Sequence, residues 1–178
     1  MSLTNRSRVL SVLGAALVLA AGAALFPGNR LQAQENPLVG REAPAWKLKD
    51  LHGQDVSSAQ FKGKVVVVDF WATWCGPCVS EIPGYVELQK KYGADGLVIV
   101  GMSVDQKSPE AVQKFAEAHG MNYTIVMADE NAVAAFGNID AIPTTFLIDR
   151  AGRIVNAKTG AVPHEEYEKV VRQALGKS

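Results

Sequence analysis

The sequence predicts an α/β domain whose central sheet is mixed, mostly parallel and flanked by helices. Segments with the apolar pattern of strands alternate with segments whose apolar residues recur at helical spacing. Residues 64–70 form a nearly continuous β-branched run, which is typical of a central strand buried on both faces. A short strand-turn-strand pattern stands near each end of this region. Strands that alternate with helices favour a mostly parallel sheet covered on both faces.

The first half of the predicted domain supplies a leading hairpin, the central strand and a long helix. Val79, Ile82 and Val86 recur at helical spacing, and Tyr85 widens the same apolar face. The predicted elements are, in order, a strand over residues 46–51, a turn at His52-Gly53, a strand over residues 54–56, the central strand over residues 64–70 and a helix over residues 79–92 that ends at Gly93.

The second half supplies three further strands, a second hairpin and three helices. Ser108 and Pro109 are a cap and a first-turn proline, and Val112, Phe115 and Ala116 form the inner face of the helix that they start. The predicted elements are a strand over residues 97–104, a helix from Ser108 that stops at Gly120, a strand over residues 123–127, a short helix over residues 131–136, a strand over residues 144–148, a hairpin through Ala151-Gly152 to residues 153–158, and a closing helix over residues 163–175.

An uncharged apolar run at residues 9–26 follows Arg6 and Arg8 and predicts an export signal. As a helix it would be about 27 Å long, close to the roughly 30 Å hydrocarbon core of a bilayer. We predict a retained single-pass anchor in the plasma or inner membrane, and the alternative is a signal cleaved near the small residues 21–23 that releases the protein to the periplasm. Because flanking arginines stay cytoplasmic, the rest of the chain faces the periplasm or its equivalent. The predicted division is 1–34 for the anchor and tether and 35–178 for the domain.

The charge pattern excludes a nucleic-acid partner. From residue 35 onward the chain carries 15 basic and 18 acidic residues, a net charge of −3. It has no basic stripe interleaved with aromatic residues and no glycine-rich phosphate loop. A nucleotide-dependent reaction therefore has no residues on which to depend.

The two cysteines of the chain, Cys75 and Cys78, lie in the stretch FWATWCGPC. A bridge that closes so short a loop stabilises a fold by only roughly 2 kcal/mol, which makes it a poor structural staple. A zinc site needs four ligands, and His52, His119 and His164 are scattered far from the cysteines in the sequence. The pattern therefore favours a pair whose oxidation and reduction is the function.

The predicted location of the pair indicates which thiol reacts. It begins a helix directly after a central strand, and ligands collect at the carboxyl ends of such strands. The unpaired N–H groups and dipole of a helix N-terminus favour a thiolate over a thiol. Cys75 is therefore the predicted nucleophile, and Cys78, one turn further in, is the predicted resolving thiol. Pro77 fits the first turn, where a missing N–H has no cost.

These residues carry a resemblance to a known family. Residues 68–78, VDFWATWCGPC, resemble the active-site stretch of thioredoxins, and Pro83 matches the proline in the helix that follows. Residues 141–149, AIPTTFLID, resemble the cis-proline loop and the next strand. The anchor, the leading hairpin, residues 78–83 and an extra βα unit over residues 101–127 resemble the membrane-anchored TlpA/ResA-like group. The resemblance extends from residue 40 to residue 175 and implies a thioredoxin-like fold with an N-terminal hairpin and one inserted βα unit.

The resemblance also implies roles for three residues besides the cysteines. Asp69 matches the buried carboxylate that manages the proton of the resolving cysteine; the alternative is a solvent-exposed aspartate at a strand end. Glu81 matches a glutamate that tunes thiol acidity, and the alternative is an ordinary exposed glutamate in the first helical turn. Pro143 is implied to be cis, a conformation that is rare without such a resemblance.

Substrate contact is implied for residues around the thiols. The backbone of Ile142 would lie against the disulfide, so that a client segment could pair with it like a strand. Gly76 and Pro77 lie between the cysteines. Trp71 and Trp74 would form an apolar rim, although core packing would explain Trp71 equally well.

The resemblance implies a thiol-disulfide oxidoreductase with no cofactor beyond the Cys75–Cys78 disulfide and no metal. Its expected partners are disulfide-containing client proteins, such as cytochrome c maturation partners or a copper-site assembly protein, and a membrane thiol electron donor. Two alternatives stay open. A peroxiredoxin-like thiol peroxidase would use Cys75 against peroxide, and a Cu(I)-binding metallochaperone would use the paired thiolates, although Met102 and Met127 are predicted to be core residues.

Overall fold

The computed structural model describes residues 36–177. The predicted anchor and tether, residues 1–34, lie outside the described residues. Within 36–177, no helix is both long and apolar enough to cross a membrane. The strands are β1 (Lys47–Lys49), β2 (Asp55–Ser57), β3 (Val65–Trp71), β4 (Leu97–Ser103), β5 (Thr124–Met127), β6 (Thr144–Ile148) and β7 (Ile154–Thr159); the helices are α1 (Gly76–Tyr92), α2 (Pro109–Ala118), α3 (Glu130–Ala135) and α4 (His164–Ala174), with a 3-10 turn at Ser58–Phe61.

The strands form a two-stranded sheet and a five-stranded mixed sheet, which confirms the predicted fold class. Strands β1 and β2 pair antiparallel as the leading hairpin. The larger sheet has the order β5-β4-β3-β6-β7. Strands β5, β4 and β3 are parallel, whereas β6 is antiparallel to both of its neighbours. Strand β6 is therefore the reversed strand of this sheet, and it lies second from the edge. A tight turn at 149–152 joins it to β7, which again runs in the direction of β3.

Strand β3 is the centre of the fold, and all seven of its residues are buried. Alternate side chains point to opposite faces of a sheet. Val66, Val68 and Phe70 pack on one face with Phe136 and Phe146. On the other face, Val65 and Val67 pack with α1 and α4, and Trp71 packs in the cluster that contains both cysteines. Asp69 lies between Val67 and Trp71 and so belongs to the face that α1 covers.

Helix α1 begins three residues earlier than the apolar spacing predicts, and its buried face is rotated. Its fully buried side chains belong to Cys78, Ile82, Tyr85, Leu88 and Tyr92. The predicted face was therefore partly wrong, since Val79 and Val86 are only half-buried. The reason is that α1 packs on the sheet beside α4, which covers Leu88 and Tyr92, while the two valines lie toward α2.

A glycine in β4 makes room for the central tryptophan. A Cβ atom at Gly101 would lie 2.8 Å from Nε1 of Trp71 and 3.4 Å from a ring carbon of Tyr123. Trp71 is 1% exposed, so its ring has little space into which to move. Only glycine fits at this point of the strand without a shift of the indole.

We predict that Gly101→Ala lowers the free energy of unfolding by about 1–3 kcal/mol, because overpacking a rigid core forces side chains from their preferred positions. The measurement is chemical denaturation of the oxidised protein. Gly76→Ala is the matched control, since a Cβ atom there would meet nothing within 4 Å. Equal unfolding midpoints for the two variants would contradict the predicted clash.

Candidate active site

The two cysteines form a disulfide at the N-terminus of α1. The Sγ–Sγ distance is 2.06 Å, and the Cα atoms are 5.3 Å apart. Cys75 is the N-cap residue, and its Sγ accepts a hydrogen bond of 3.2 Å from the backbone N–H of Cys78. The N-terminal end of α1, which favours negative charge, therefore faces the sulfur of Cys75. Cys75 is 6% exposed and Cys78 is 2% exposed, so the outer cysteine is the one predicted as nucleophile.

The cis-proline loop lies against the disulfide. The Ile142–Pro143 peptide bond is cis, as the resemblance implied. Sγ of Cys75 lies 3.8 Å from the carbonyl oxygen of Ile142. In the oxidised protein this is a van der Waals contact, because a disulfide sulfur carries no hydrogen to donate. The backbone N–H of Gly160 donates to the carbonyl oxygen of Pro143 over 2.8 Å, which fixes the loop to the end of β7.

The predicted substrate-contact residues surround the bridge at the surface. Trp74 is 66% exposed, the largest exposure among the big apolar side chains of residues 36–177. Gly76 and Pro77 are exposed, and Ile142 is half-buried. For Trp71 the alternative of core packing is confirmed and the rim is not, because its ring is fully buried and packs 5.9 Å from the ring of Phe115. The end of β3 explains the difference: Trp71 is the last residue of the buried strand, whereas Trp74 lies in the loop that follows.

Asp69 is buried and hydrogen-bonded to a side chain that sequence reasoning missed. It is 4% exposed, which excludes the solvent-exposed alternative. Its Oδ1 accepts a hydrogen bond of 2.9 Å from Oγ1 of Thr145. The same Oγ1 lies 3.2 Å from the hydroxyl oxygen of Tyr85. Since a threonine hydroxyl has one proton, Tyr85 donates to Thr145 and Thr145 donates to Asp69.

Burial raises the pKa of Asp69 from its ordinary value of 3.8 to about 7. Loss of hydration is the largest cause; the Thr145 hydrogen bond and Lys158 oppose it, and Glu81 adds to it. Burial likewise raises the pKa of Tyr85, Tyr123 and Tyr167, so these phenols stay neutral. Asp69 can therefore gain or lose a proton near neutral pH, as an acid-base group for thiol chemistry requires.

The side chain of Glu81 is also largely buried, and its partner is a lysine that sequence reasoning missed. Its side chain is 9% exposed, so the alternative of an ordinary surface glutamate was wrong. Oε1 lies 2.8 Å from Nζ of Lys158 and accepts a longer hydrogen bond of 3.3 Å from the backbone N–H of Val162. Oε2 is buried without a hydrogen-bond partner among residues 36–177. The catalytic role of Glu81 stays a prediction.

A second buried carboxylate, Asp105, holds the loop before the disulfide. It follows β4 and is 8% exposed. Its Oδ2 accepts from the backbone N–H of Thr73 over 2.8 Å, and its Oδ1 accepts from the Thr73 hydroxyl over 2.7 Å. Ser103 donates a third bond of 3.0 Å to Oδ2. The sequence offered one signal for Asp105, an aspartate just past the carboxyl end of a buried strand next to the central one.

Metal-ligand geometry is not present in the described part of the chain. No group of three or more His, Cys, Asp or Glu side chains within residues 36–177 could hold a metal ion. Met102 packs on the opposite face of the sheet from the cysteines. Met127 is half-buried at the margin of the cysteine cluster.

Comparison with known proteins agrees with this geometry. A family model described as Redoxin matches residues 38–175. The chain belongs to the Redoxin family. Its relatives include proteins named thiol-disulfide oxidoreductase ResA, which confirms the predicted resemblance to ResA-like proteins of the thioredoxin superfamily and supports an oxidoreductase role.

Three similar proteins illustrate the family likeness. The thiol-disulfide oxidoreductase ResA of Geobacillus kaustophilus is 37% identical over 131 residues, which cover 74% of this chain and 75% of ResA. The thioredoxin-like protein YneN of Bacillus subtilis is 36% identical over 132 residues, 73% of this chain and 76% of YneN. The crystal structure of a thioredoxin-family thiol:disulfide interchange protein from Chlorobium tepidum is 35% identical, with a TM-score of 0.71; the match covers 76% of this chain and 96% of that one.

We predict that Asp69→Asn removes a pH dependence of stability. Because the pKa of Asp69 is about 7 in the folded protein and 3.8 ordinarily, the folded state binds more protons between these values. The free energy of unfolding of the natural protein should therefore fall as pH rises from about 4 to about 7, by on the order of 4 kcal/mol. Denaturation curves of the oxidised proteins across this range measure it. An identical slope in Asp69→Asn would contradict the assignment.

We predict that Asp105→Ala lowers the free energy of unfolding by about 2–3 kcal/mol, because it leaves buried donors of Thr73 and Ser103 without acceptors. Asp140→Ala is the control, since Asp140 is exposed, and its effect should stay within about 0.5 kcal/mol. Equal stabilities of the two variants would show that Asp105 does not hold the loop.

Proposed function

We propose that this chain is a thiol-disulfide oxidoreductase that reduces disulfides of extracytoplasmic client proteins through Cys75 and Cys78. The observation that carries the proposal is the position of the Cys75–Cys78 bridge, which caps α1 and lies against the carbonyl of Ile142. A bridge that serves only stability has no need of an exposed apolar neighbour such as Trp74.

Client binding uses the surface around the bridge. Trp74 and Pro77 offer apolar contact, and the backbone of Ile142 offers hydrogen bonds to an extended segment. Neither the N–H nor the C=O of Ile142 makes a backbone hydrogen bond among residues 36–177. A client strand can therefore pair with this residue and bring its disulfide toward Cys75.

The first chemical step forms a mixed disulfide. In the reduced protein, the thiolate of Cys75 attacks one sulfur of the client disulfide; the client S–S bond breaks and one client sulfur leaves as a thiolate. The N–H of Cys78, which lies 3.2 Å from Sγ of Cys75 in the bridge, is placed to stabilise the attacking thiolate. No oxidant or reductant beyond the client and the enzyme dithiol takes part.

The second step releases the client. Cys78 loses its proton and attacks Sγ of Cys75, so that the mixed disulfide breaks and the second client sulfur leaves as a thiolate. The Cys75–Cys78 bridge seen in the structure is the product. We assign acceptance of the Cys78 proton to Asp69, which lies on the sheet face covered by α1 and has a pKa of about 7.

The setting of the reaction follows from the N-terminal sequence. The apolar run at residues 9–26 after Arg6 and Arg8 supports export and an anchor in the plasma or inner membrane, with the domain on the outer side. Each turnover leaves the enzyme oxidised, and an oxidising compartment does not return the electrons. A membrane thiol donor therefore restores the dithiol, and the resemblance favours cytochrome c maturation partners as clients.

The two other functions considered from the sequence lack such support. The similar proteins described above are named as thiol-disulfide oxidoreductases, a thiol:disulfide interchange protein and a thioredoxin-like protein. For Cu(I), Met102 lies on the opposite face of the sheet from the cysteine pair.

We predict that Cys75→Ser abolishes reduction of a disulfide-linked peptide, because it removes the attacking thiolate, with a loss of at least about a hundredfold in rate. Cys78→Ser should retain the first step and accumulate a covalent mixed disulfide, which non-reducing gels and mass spectrometry detect. The matched control is Ser80→Ala in the same helix, which should keep normal turnover. Unchanged turnover in Cys75→Ser would overturn the mechanism.

The same trapped species test the setting. Cys78→Ser expressed with its own N-terminal segment should trap proteins of the extracytoplasmic compartment, among them a cytochrome c maturation partner. Exclusive capture of cytoplasmic proteins would contradict the proposed location while leaving the chemistry intact.

A further inference from the structure

The ion pair between Glu81 and Lys158 is unusual in its burial. The two side chains are 9% and 10% exposed, and their charged atoms are 2.8 Å apart. Burying two charges has a large desolvation penalty, and apolar residues of similar volume are often as stable. The three surface ion pairs of lysine with aspartate in the described domain are far more exposed. Stability alone therefore gives no reason for a lysine at this point.

The pair connects the redox helix to the strand that holds the cis-proline loop. Glu81 lies on α1, one turn after Cys78, and Lys158 lies near the end of β7. Directly after Lys158, Thr159 lies 3.1 Å from the hydroxyl of Thr144, and Gly160 donates to the carbonyl of Pro143. The ion pair is thus a direct link between the two elements that must enclose a client disulfide.

The pair also lies on the same face of the sheet as Asp69, because Thr145 of β6 is the cross-strand partner of both Asp69 on β3 and Lys158 on β7. Lys158 lowers and Glu81 raises the pKa of Asp69, so their opposite effects offset each other. The other groups that face this region are neutral: Tyr85 on α1, Thr145 on β6, Tyr123 just before β5, and Tyr167 on α4, whose ring lies 5.2 Å from Nζ of Lys158. His164 begins α4 and faces Glu87 and Glu168 instead.

We infer that Lys158 is a positioning residue for the redox reaction: it holds the Glu81 carboxylate in place and sets a positive charge against it, and so balances the buried negative charge beside Asp69. Without Lys158, the Glu81 carboxylate would act on Asp69 with no positive charge to offset it. Asp69 would then give up its proton only at higher pH, because a nearby negative charge disfavours its ionised form. This inference rests on the proposed function, because its consequence is the pH at which Cys78 can be deprotonated.

The test is the pH profile of the second step in three variants. Reduced enzyme reacts in single turnovers with a disulfide-linked peptide, and the rate of release from the mixed disulfide is followed from pH 5 to 9. For Lys158→Met, which keeps the length and loses the charge, we expect the rising limb to move up by about one pH unit. For Glu81→Gln, which leaves the positive charge of Lys158 without its partner, we expect the rising limb to move to lower pH. The double variant should return near the natural profile.

Two controls separate electrostatics from packing. Lys158→Arg should keep the rising limb of the pH profile where it lies in the natural protein, because arginine carries the same charge. Lys91→Met removes an exposed lysine that pairs with Glu168, and it should leave the limb in place. Shifts in the same direction for Lys158→Met and Glu81→Gln, or no shift in either, would overturn the inference.

A second measurement does not depend on turnover. The slope of unfolding free energy against pH reports the titration of Asp69 in the oxidised protein. In Lys158→Met the fall in stability should end at higher pH than in the natural protein; an unchanged end point contradicts the inference. If Lys158→Met does not fold, the comparison uses Glu81→Gln and the double variant. The fall in stability should end at lower pH in Glu81→Gln than in the double variant, and equal slopes in these two would overturn the inference. Absence of reaction with the peptide in the natural protein would refute the proposed function, whereas the stability slopes would still decide the role of Lys158.

Discussion

Strand β3 is buried on both faces along its whole length, and the position of each functional group follows from this constraint. Its alternation sends Val66, Val68 and Phe70 into one core and leaves Asp69 and Trp71 on the face that α1 covers. Because the strand ends inside the protein, residues 72–75 must turn the chain into α1 within a short distance. That turn is where Asp105 binds Thr73 and where Cys75 becomes the cap of the helix.

The interface between the sheet and α1 carries more polar groups than a core of this kind needs. Asp69, the Thr145–Tyr85 hydroxyls and the Glu81–Lys158 pair all lie there with little access to water. Low polarity makes each charge costly and each interaction strong. The hydroxyl chain satisfies Asp69 without neutralising it, and the ion pair adds two opposite charges near it. Such an arrangement gives a carboxylate that responds to pH in the range where thiols exchange.

The sequence was sufficient for the parts of the fold that depend on local pattern. Alternating strands and helices, the hairpin turns at residues 52–53 and 151–152, and the paired cysteines at a helix start are all visible within short windows. The rotation of α1 was not, because the side on which α4 packs decides whether Leu88 or Val86 is buried. Trp71 and Trp74 look alike in the sequence, and only the end point of β3 separates them.

The partners of the buried charges could not be predicted from the sequence for a related reason. Thr145 lies 76 residues from Asp69, Lys158 lies 77 residues from Glu81, and Asp105 lies 32 residues from Thr73. No local spacing links such positions, and a lysine in an edge strand ordinarily points to solvent. Glu81 itself was identified only through a resemblance, and its burial became evident once β7 was placed beside the reversed strand β6.

The register of the sheet also decides which directions are open to a large client. Gly40 and Arg41 make backbone hydrogen bonds to Ile154, at the beginning of β7. The register of the sheet places Ile154 level with Val66, near the beginning of β3. The disulfide lies past the other end of β3, roughly 17 Å further on at 3.3 Å per strand residue. A folded protein caught on Cys75 therefore approaches from the pole opposite the point where the chain enters. A client held there need not disturb the hydrogen bonds by which Gly40 and Arg41 hold Ile154.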